Sequence, residues 1–180
     1  MVAAMTRPSR PLALFVIIAS AAALIVALIA QYGFGMRPCV LCLAQRVPFG
    51  VAALLGLVTL LSPAMGGVWC RRLLVLAGLA FLINTGIAAY HVGVEHHLWT
   101  FPVCAGGSVG GHIDVHNLAA SMSVPTVVPC DQPAWSWHGL TMAGINVFYS
   151  GALALITLTA ALRLPGMRVF AGSRRKGRLS

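Results

Sequence analysis

The sequence predicts an all-α membrane protein, a four-transmembrane-helix antiparallel bundle with one long outer loop. Three features point to it. The chain is 59% hydrophobic and only 8% charged, against roughly 25% charged in a typical soluble domain. Its apolar residues gather in four runs, each long enough to cross a bilayer. None of the runs shows the alternation of a barrel strand. A helix satisfies its own backbone polar groups, so four spanning helices are the natural solution. A length of 180 residues suits one domain, 1–180.

The first run, 12–30, reads LALFVIIASAAALIVALIA. At about 1.5 Å per residue it is about 28 Å long, close to the thickness of the hydrocarbon core. Arg7 and Arg10 before it, and the small residues Ala19, Ser20 and Ala21, resemble a cleavable signal. The apolar stretch continues to Ala30, beyond a usual signal core, so an uncleaved helix is expected. The second run is 43–61, the third 73–90 and the fourth 142–164. A short loop, 31–42, follows the first run. A turn segment, 62–72, follows the second and carries Ser62-Pro63, Gly66-Gly67 and Arg71-Arg72. The long loop, 91–141, is rich in Gly, Pro, His and Ser and lacks the apolar density for a core of its own. Within it, HIDVHNLAASM (112–122) could form a short helix on the membrane surface. Loops of this length are usually functional or mobile. A basic tail, 165–180, ends the chain. Gly50, Gly56, Gly78, Gly86, Gly144 and Gly151 offer small positions where helices could approach closely.

Charge gives the orientation. Ten of the twelve basic residues precede the first run, separate the second from the third, or end and follow the fourth. Arg37 and Arg46 remain for the other side, with all three acids, Glu95, Asp114 and Asp131. The positive-inside rule then places both termini in the cytoplasm. The net charge of +9 does not indicate nucleic acid, because it sits in clusters between apolar runs rather than along one face. The tail RRKGR reads as a topology anchor that can touch lipid headgroups.

Four of the five cysteines, Cys39, Cys42, Cys104 and Cys130, fall on the outer side. Cys70 lies beside Arg71 and Arg72 and is expected to be an inert thiol. Four outer cysteines suggest two disulfides. They allow three connectivities, of which Cys39–Cys42 with Cys104–Cys130 is the simplest. A bond closing so small a loop as 39–42 restrains the unfolded chain little, so reactivity explains that pair better than stapling. Pro38 suits the start of a helix, which would put Cys39 and Cys42 in its first turn. A helix N-terminus lowers thiol pKa. Arg46, four residues after Cys42, can share their helical face and would favour the thiolate further. A charge at the start of a spanning run is itself a functional-site signal. All six histidines, His91, His96, His97, His112, His116 and His138, also lie on the outer side. A zinc site is conceivable, but no second tight Cys/His pair stands at zinc-finger distance, so no metal is expected.

The motifs PCVLC (38–42) with Arg46, YHVGVEHH (90–97), and CDQPAWSWHGLTMAG (130–144) leading into the fourth run together resemble the bacterial disulfide bond formation protein B (DsbB) family. The resemblance covers nearly the whole chain from the first span to the fourth. It implies an enzyme of the cell inner membrane, a protein dithiol:quinone oxidoreductase that reoxidises a soluble DsbA-like thiol oxidase and passes the electrons to ubiquinone or menaquinone. It further implies a disulfide Cys104–Cys130 that meets the partner through Cys104, a transient Cys39–Cys130 bond, and a Cys39–Cys42 pair with Cys42 facing the quinone. Arg46 would hold a quinone carbonyl. His91 is the first histidine candidate for the quinone site and His96 the second. Gln45 stands where an acidic residue is frequent in the best-known branch. Alternatives are a quinone-linked thiol enzyme resembling the vitamin K epoxide reductase family, a non-catalytic metal-binding membrane protein using the outer histidines, and a scaffold subunit whose disulfides brace loops. The first of these usually carries its C-x-x-C near the end of a late helix, whereas here the pair opens the second.

Overall fold

Helix α1, Ser9–Leu28, runs on into a π-helical turn, Ile29–Gly33. Helix α2, Val40–Leu61, begins one residue later than the sequence suggests for its cysteines: Cys39 is the N-cap and Cys42 stands in the first turn. Helix α3, Gly67–Glu95, is longer than the apolar run 73–90 at both ends. Helix α4 is Met142–Arg163. All four are long and apolar enough to cross a membrane. The structure is a computed structural model that describes residues 9–62, 67–99, 130–131, 133 and 135–164. The surface helix expected at 112–122 lies outside the described residues.

At 29 residues, α3 is about 44 Å long, more than the hydrocarbon core needs. An end of it therefore reaches the headgroup level. Trp99 folds back there, donating its indole N–H to the Tyr90 carbonyl at 3.0 Å and stacking on Tyr90. Gly93 leaves the space that this indole fills.

A two-stranded hairpin, β1 (Ser136–Trp137) and β2 (Leu140–Thr141), leads into α4. His138 and Gly139 form its two-residue turn, both with positive φ (50° and 80°). That backbone suits the right-handed twist of a hairpin, and glycine adopts it without strain. His138 does not. Thr141 then caps α4 by accepting from the Gly144 N–H at 3.1 Å.

Helix α3 packs on both α2 and α4, and α2 packs on α1. The interior is built of small residues, among them Ala13, Ala52, Ala77, Ala154 and Ala161, around Phe49, Leu74 and Phe81. Large apolar side chains such as Ile18, Val26, Leu54, Ile83 and Phe148 point outward. This arrangement fits lipid, where close packing rather than water exclusion holds helices together. Gly56 and Gly78 serve that closeness: a Cβ on Gly78 would lie 2.7 Å from the Leu158 side chain. Gly50 and Gly86 have nothing within 4 Å of a Cβ and are not contact points. The Tyr149 hydroxyl donates to the Ala19 carbonyl at 2.9 Å and ties α4 to α1.

Candidate dithiol site

The sequence from Pro38 makes α2 start at the cysteines, and α3 runs long enough to bring His91 beside them. Cys39 is 5% exposed and Cys42 is half-buried. Both are free thiols in this structure, with sulfurs 2.7 Å apart. The inner pair, expected as Cys39–Cys42, thus stands in its dithiol form.

Cys39 Sγ is surrounded by donors. The Cys42 thiol hydrogen-bonds to it. The Cys42 backbone N–H, one of the unpaired amides of the helix start, donates to it at 3.2 Å. His91 Nε2 lies 3.6 Å away. Hydrogen bonds to the charged form favour ionisation. The Cys42 thiol first, then His91 and the helix amide, outweigh the opposing effect of burial and hold the Cys39 thiol down at about 4. The donors come from Cys42 and His91 rather than from Arg46, as the sequence had suggested. Arg46, half-buried, turns to α1 instead, where it donates to Gln31 Oε1 at 2.7 Å and to the Ala27 carbonyl at 3.4 Å.

His91 is 4% exposed and is held from several directions. Gln45 Nε2 lies 3.1 Å from its Nδ1. Gln45 Oε1 in turn accepts from Asn146 Nδ2 of α4 at 2.7 Å. Glu95, one turn further along α3, brings Oε1 to 3.8 Å from His91 Nε2. The Thr141 hydroxyl donates to Glu95 Oε2 at 2.6 Å. The helix cap of α4 is therefore tied to the end of α3.

Cys130 is 1% exposed and disulfide-bonded. It shares one buried cluster with Cys39, Leu41 and Val94, against which Cys42 packs. Its expected partner, Cys104, lies outside the described residues, as do His112 and His116. His96 is exposed at the end of α3, away from the buried cluster, and His97 and His138 are exposed too. Of the two histidine candidates, the structure brings only His91 to the dithiol. Cys70 is buried in the first turn of α3, with Arg71 following it.

Sequence reasoning missed the roles of Gln45, Glu95 and Asn146. Each left a signal. Glu95 stands at i+4 from His91 on a helix. Gln45 and Asn146 are polar residues inside apolar runs, and such residues mark function or packing.

Cys39 Sγ, Cys42 Sγ and a His91 ring nitrogen all lie within 4.8 Å of one another, a grouping that could hold a soft metal. Thiolates on tetrahedral zinc stand about 3.8 Å apart, so the two sulfurs would have to separate before sharing an ion.

A stabilised thiolate with its second thiol in contact, and a disulfide-bonded cysteine in the same cluster, is the apparatus of thiol–disulfide exchange. Set at one end of four spanning helices, it defines a membrane protein of disulfide formation. The chain belongs to the DsbB family: the family model described as disulfide bond formation protein DsbB matches residues 9–160. Membership and the four apolar helices make the chain a multi-pass inner-membrane protein of disulfide bond formation. Relatives named disulfide bond formation protein B agree. The chain is 28% identical to the protein of Azoarcus sp. (strain BH72) over 86% of its own length and 93% of the relative. It is 39% identical to that of Herminiimonas arsenicoxydans over 49% of this chain and 54% of the relative. It is 38% identical to that of Xanthomonas campestris pv. campestris (strain 8004) over 43% and 45%. The chain thus matches about half the length of the last two. No solved structure matches it.

Proposed function

We propose that the chain is a thiol oxidase that takes electrons from a soluble, DsbA-like thioredoxin-fold partner and passes them to a membrane quinone. The observation that carries this is the placement of Cys130 in one buried cluster with Cys39, whose Sγ is met by His91 Nε2 and the Cys42 N–H. Both termini are cytoplasmic in this reading, and the dithiol end faces the periplasm.

A partner thiolate attacks Cys104, the Cys104–Cys130 bond breaks, and Cys130 leaves as a thiolate. Cys130 attacks Cys39 in the Cys39–Cys42 disulfide, and Cys42 leaves. The partner's second thiolate closes the partner's own disulfide and frees Cys104. Cys104 then attacks Cys130, restores Cys104–Cys130, and expels Cys39. The partner has lost two electrons and the inner pair has gained them. A low leaving-group pKa speeds such a step, which is the use of the donors around Cys39 Sγ.

The residues present fit a quinone. Arg46 retains N–H donors beyond those directed at Gln31 and Ala27, and next to it Val47 is 64% exposed on the outer face of α2. Arg46 would hold a carbonyl oxygen and Cys42, half-buried, would stand nearest the ring. A bound quinone supplies a two-electron, two-proton acceptor. His91 would donate from Nε2 to the Cys39 thiolate and hold it ready while the pair is reduced.

The test is quinol formation by the purified protein in lipid vesicles, given a reduced thioredoxin-fold partner and ubiquinone or menaquinone. Turnover is expected with the complete chain, and none with Cys42→Ser. A mixed disulfide trapped on Cys104 in Cys130→Ser identifies the partner. The Cys39–Cys42–His91 grouping favours one second reading, metal binding. That reading gains if the reduced protein copurifies with stoichiometric zinc or copper and forms no quinol.

A further inference from the structure

Hydrogen bonds run from the middle of the bundle to Cys39 without a break. Asn84 Nδ2 of α3 donates to Asn146 Oδ1 of α4 at 3.4 Å. Asn146 Nδ2 donates to Gln45 Oε1 of α2 at 2.7 Å. Gln45 Nε2 meets His91 Nδ1 at 3.1 Å, and His91 Nε2 faces Cys39 Sγ at 3.6 Å. Three helices take turns in this chain, and every donor in it points toward the sulfur.

The polarity has a chemical consequence. An amide has one acceptor end and one donor end. Asn146 occupies the acceptor end of Gln45, so Gln45 presents its NH2 to His91. His91 Nδ1 must then be the unprotonated nitrogen. The ring proton sits on Nε2, where it can donate to a Cys39 thiolate. Turning Gln45 or Asn146 alone would set like groups against each other where the two amides meet, so these two keep one direction together. Amides do not titrate near neutral pH, and the setting therefore persists where a carboxylate's would change.

We propose that Asn146, acting through Gln45, is a positioning residue for the inner dithiol: it fixes His91 as its Nε2–H tautomer and thereby stabilises the Cys39 thiolate. The assignment deepens the thiol-oxidase reading and rests on it. Helix α4 then contributes to the redox site although it carries no cysteine. By stabilising the reduced form of the pair, Asn146 makes the Cys39–Cys42 disulfide a stronger oxidant and draws electrons in from Cys130. The titratable and charged groups facing Cys39 are Cys42 and, further along, Arg46 on α2, and His91 and Glu95 on α3. The packed segment adds Asp131 beside the non-titrating Cys130. Helix α4 adds none, so its influence passes through the amides.

Nitrogen NMR of His91 in the reduced protein reads the tautomer directly. The wild type is expected to carry its proton on Nε2. In Asn146→Leu, Gln45 is released, and Nδ1 is expected to gain a proton. Alkylation of Cys39, followed against pH by peptide mapping, is expected to shift its midpoint upward by about one unit, a tenfold loss of thiolate below the midpoint. The equilibrium of the pair with glutathione is expected to move by about tenfold, or about 30 mV for a two-electron couple, toward weaker oxidation. If Asn146→Leu does not fold, Asn146→Asp keeps the shape and, once ionised at raised pH, cannot donate. Gln45 must then turn its NH2 toward α4, and the same gain of a proton at Nδ1 is expected. A wild-type proton on Nδ1, or a folded variant with the wild-type tautomer and Cys39 profile, overturns the proposal. Failure of the wild type to form quinol would remove the thiol-oxidase reading, whereas tautomer and thiolate are measured without quinone.

Discussion

Helix α2 has two sides at its first turns, and they are built oppositely. Toward α3 and α4, Cys39, His91 and Gln45 are buried and bonded to one another. Toward α1 and the outside, Arg46 is half-buried, with Val47 exposed next to it and Tyr32 and Phe34 exposed just after its partner Gln31. Hydrogen bonds are stronger where water is excluded, so the sealed side is where the charge of a sulfur can be set. The open side is where an apolar acceptor in the bilayer can arrive. Cys42 lies between, touching Cys39 Sγ while half-buried itself. One helix start therefore separates acidity from access.

Substitutions should divide along that line. Cys42→Ser joins both sides and has the largest effect: quinol formation should stop altogether, because the pair cannot close. His91→Ala breaks the sealed side alone. A hydrogen bond to a charged group is worth about 1.5–3 kcal/mol, so the Cys39 midpoint should rise by about one to two units, measured by alkylation against pH. Arg46→Leu breaks the open side alone. It should raise the KM for quinone about tenfold, as expected for the loss of one charged hydrogen bond, and leave the Cys39 profile in place. A shifted Cys39 profile in Arg46→Leu would erase the distinction. Gly78→Ala touches neither side. It forces α3 from α4 at Leu158 and should cost about 1–3 kcal/mol of stability, seen as a lower Tm in detergent with the Cys39 profile unchanged.

The acidity of Cys39 also sets a pH dependence of stability. Its thiol is depressed to about 4 in the folded dithiol form, chiefly by the Cys42 thiol and then by His91. Above the ordinary thiol range the folded and unfolded chains bind equal protons at this group. Below it the unfolded chain takes up a proton that the folded one refuses, so stability falls with falling pH until about 4. The reduced protein should therefore lose Tm over that interval, and the form with Cys39 and Cys42 oxidised should lose less.

Much of this was legible in the sequence. The four spans follow from apolar runs too long and too poor in charge for a soluble core. The dithiol follows from Cys39 and Cys42 at the head of one run, after a proline that begins the helix. His91 stands out in the sequence because it sits at the end of the third run. The details that escaped are those set between helices. Nothing in the local sequence shows that Arg46 leans on Gln31 in the π-helical turn after α1, or that Asn146 reaches Gln45 across 101 positions. Spacing within one helix led to Arg46 as the partner of the thiolate, whereas the donors come from Cys42 and from the neighbouring α3. The last turns of α3 likewise read as loop in the sequence, because His91 and Glu95 interrupt the apolar run. Thr141 and Glu95 bond to each other there, which gives these polar residues partners inside the fold.

The most direct test asks which sulfur of the reduced protein reacts first with a limiting alkylating reagent at about pH 5, well below the ordinary thiol range. Modification of Cys39 ahead of Cys42, with a midpoint near 4, is the result expected here. Modification of Cys42 first, or a Cys39 midpoint at an ordinary thiol value, would contradict it.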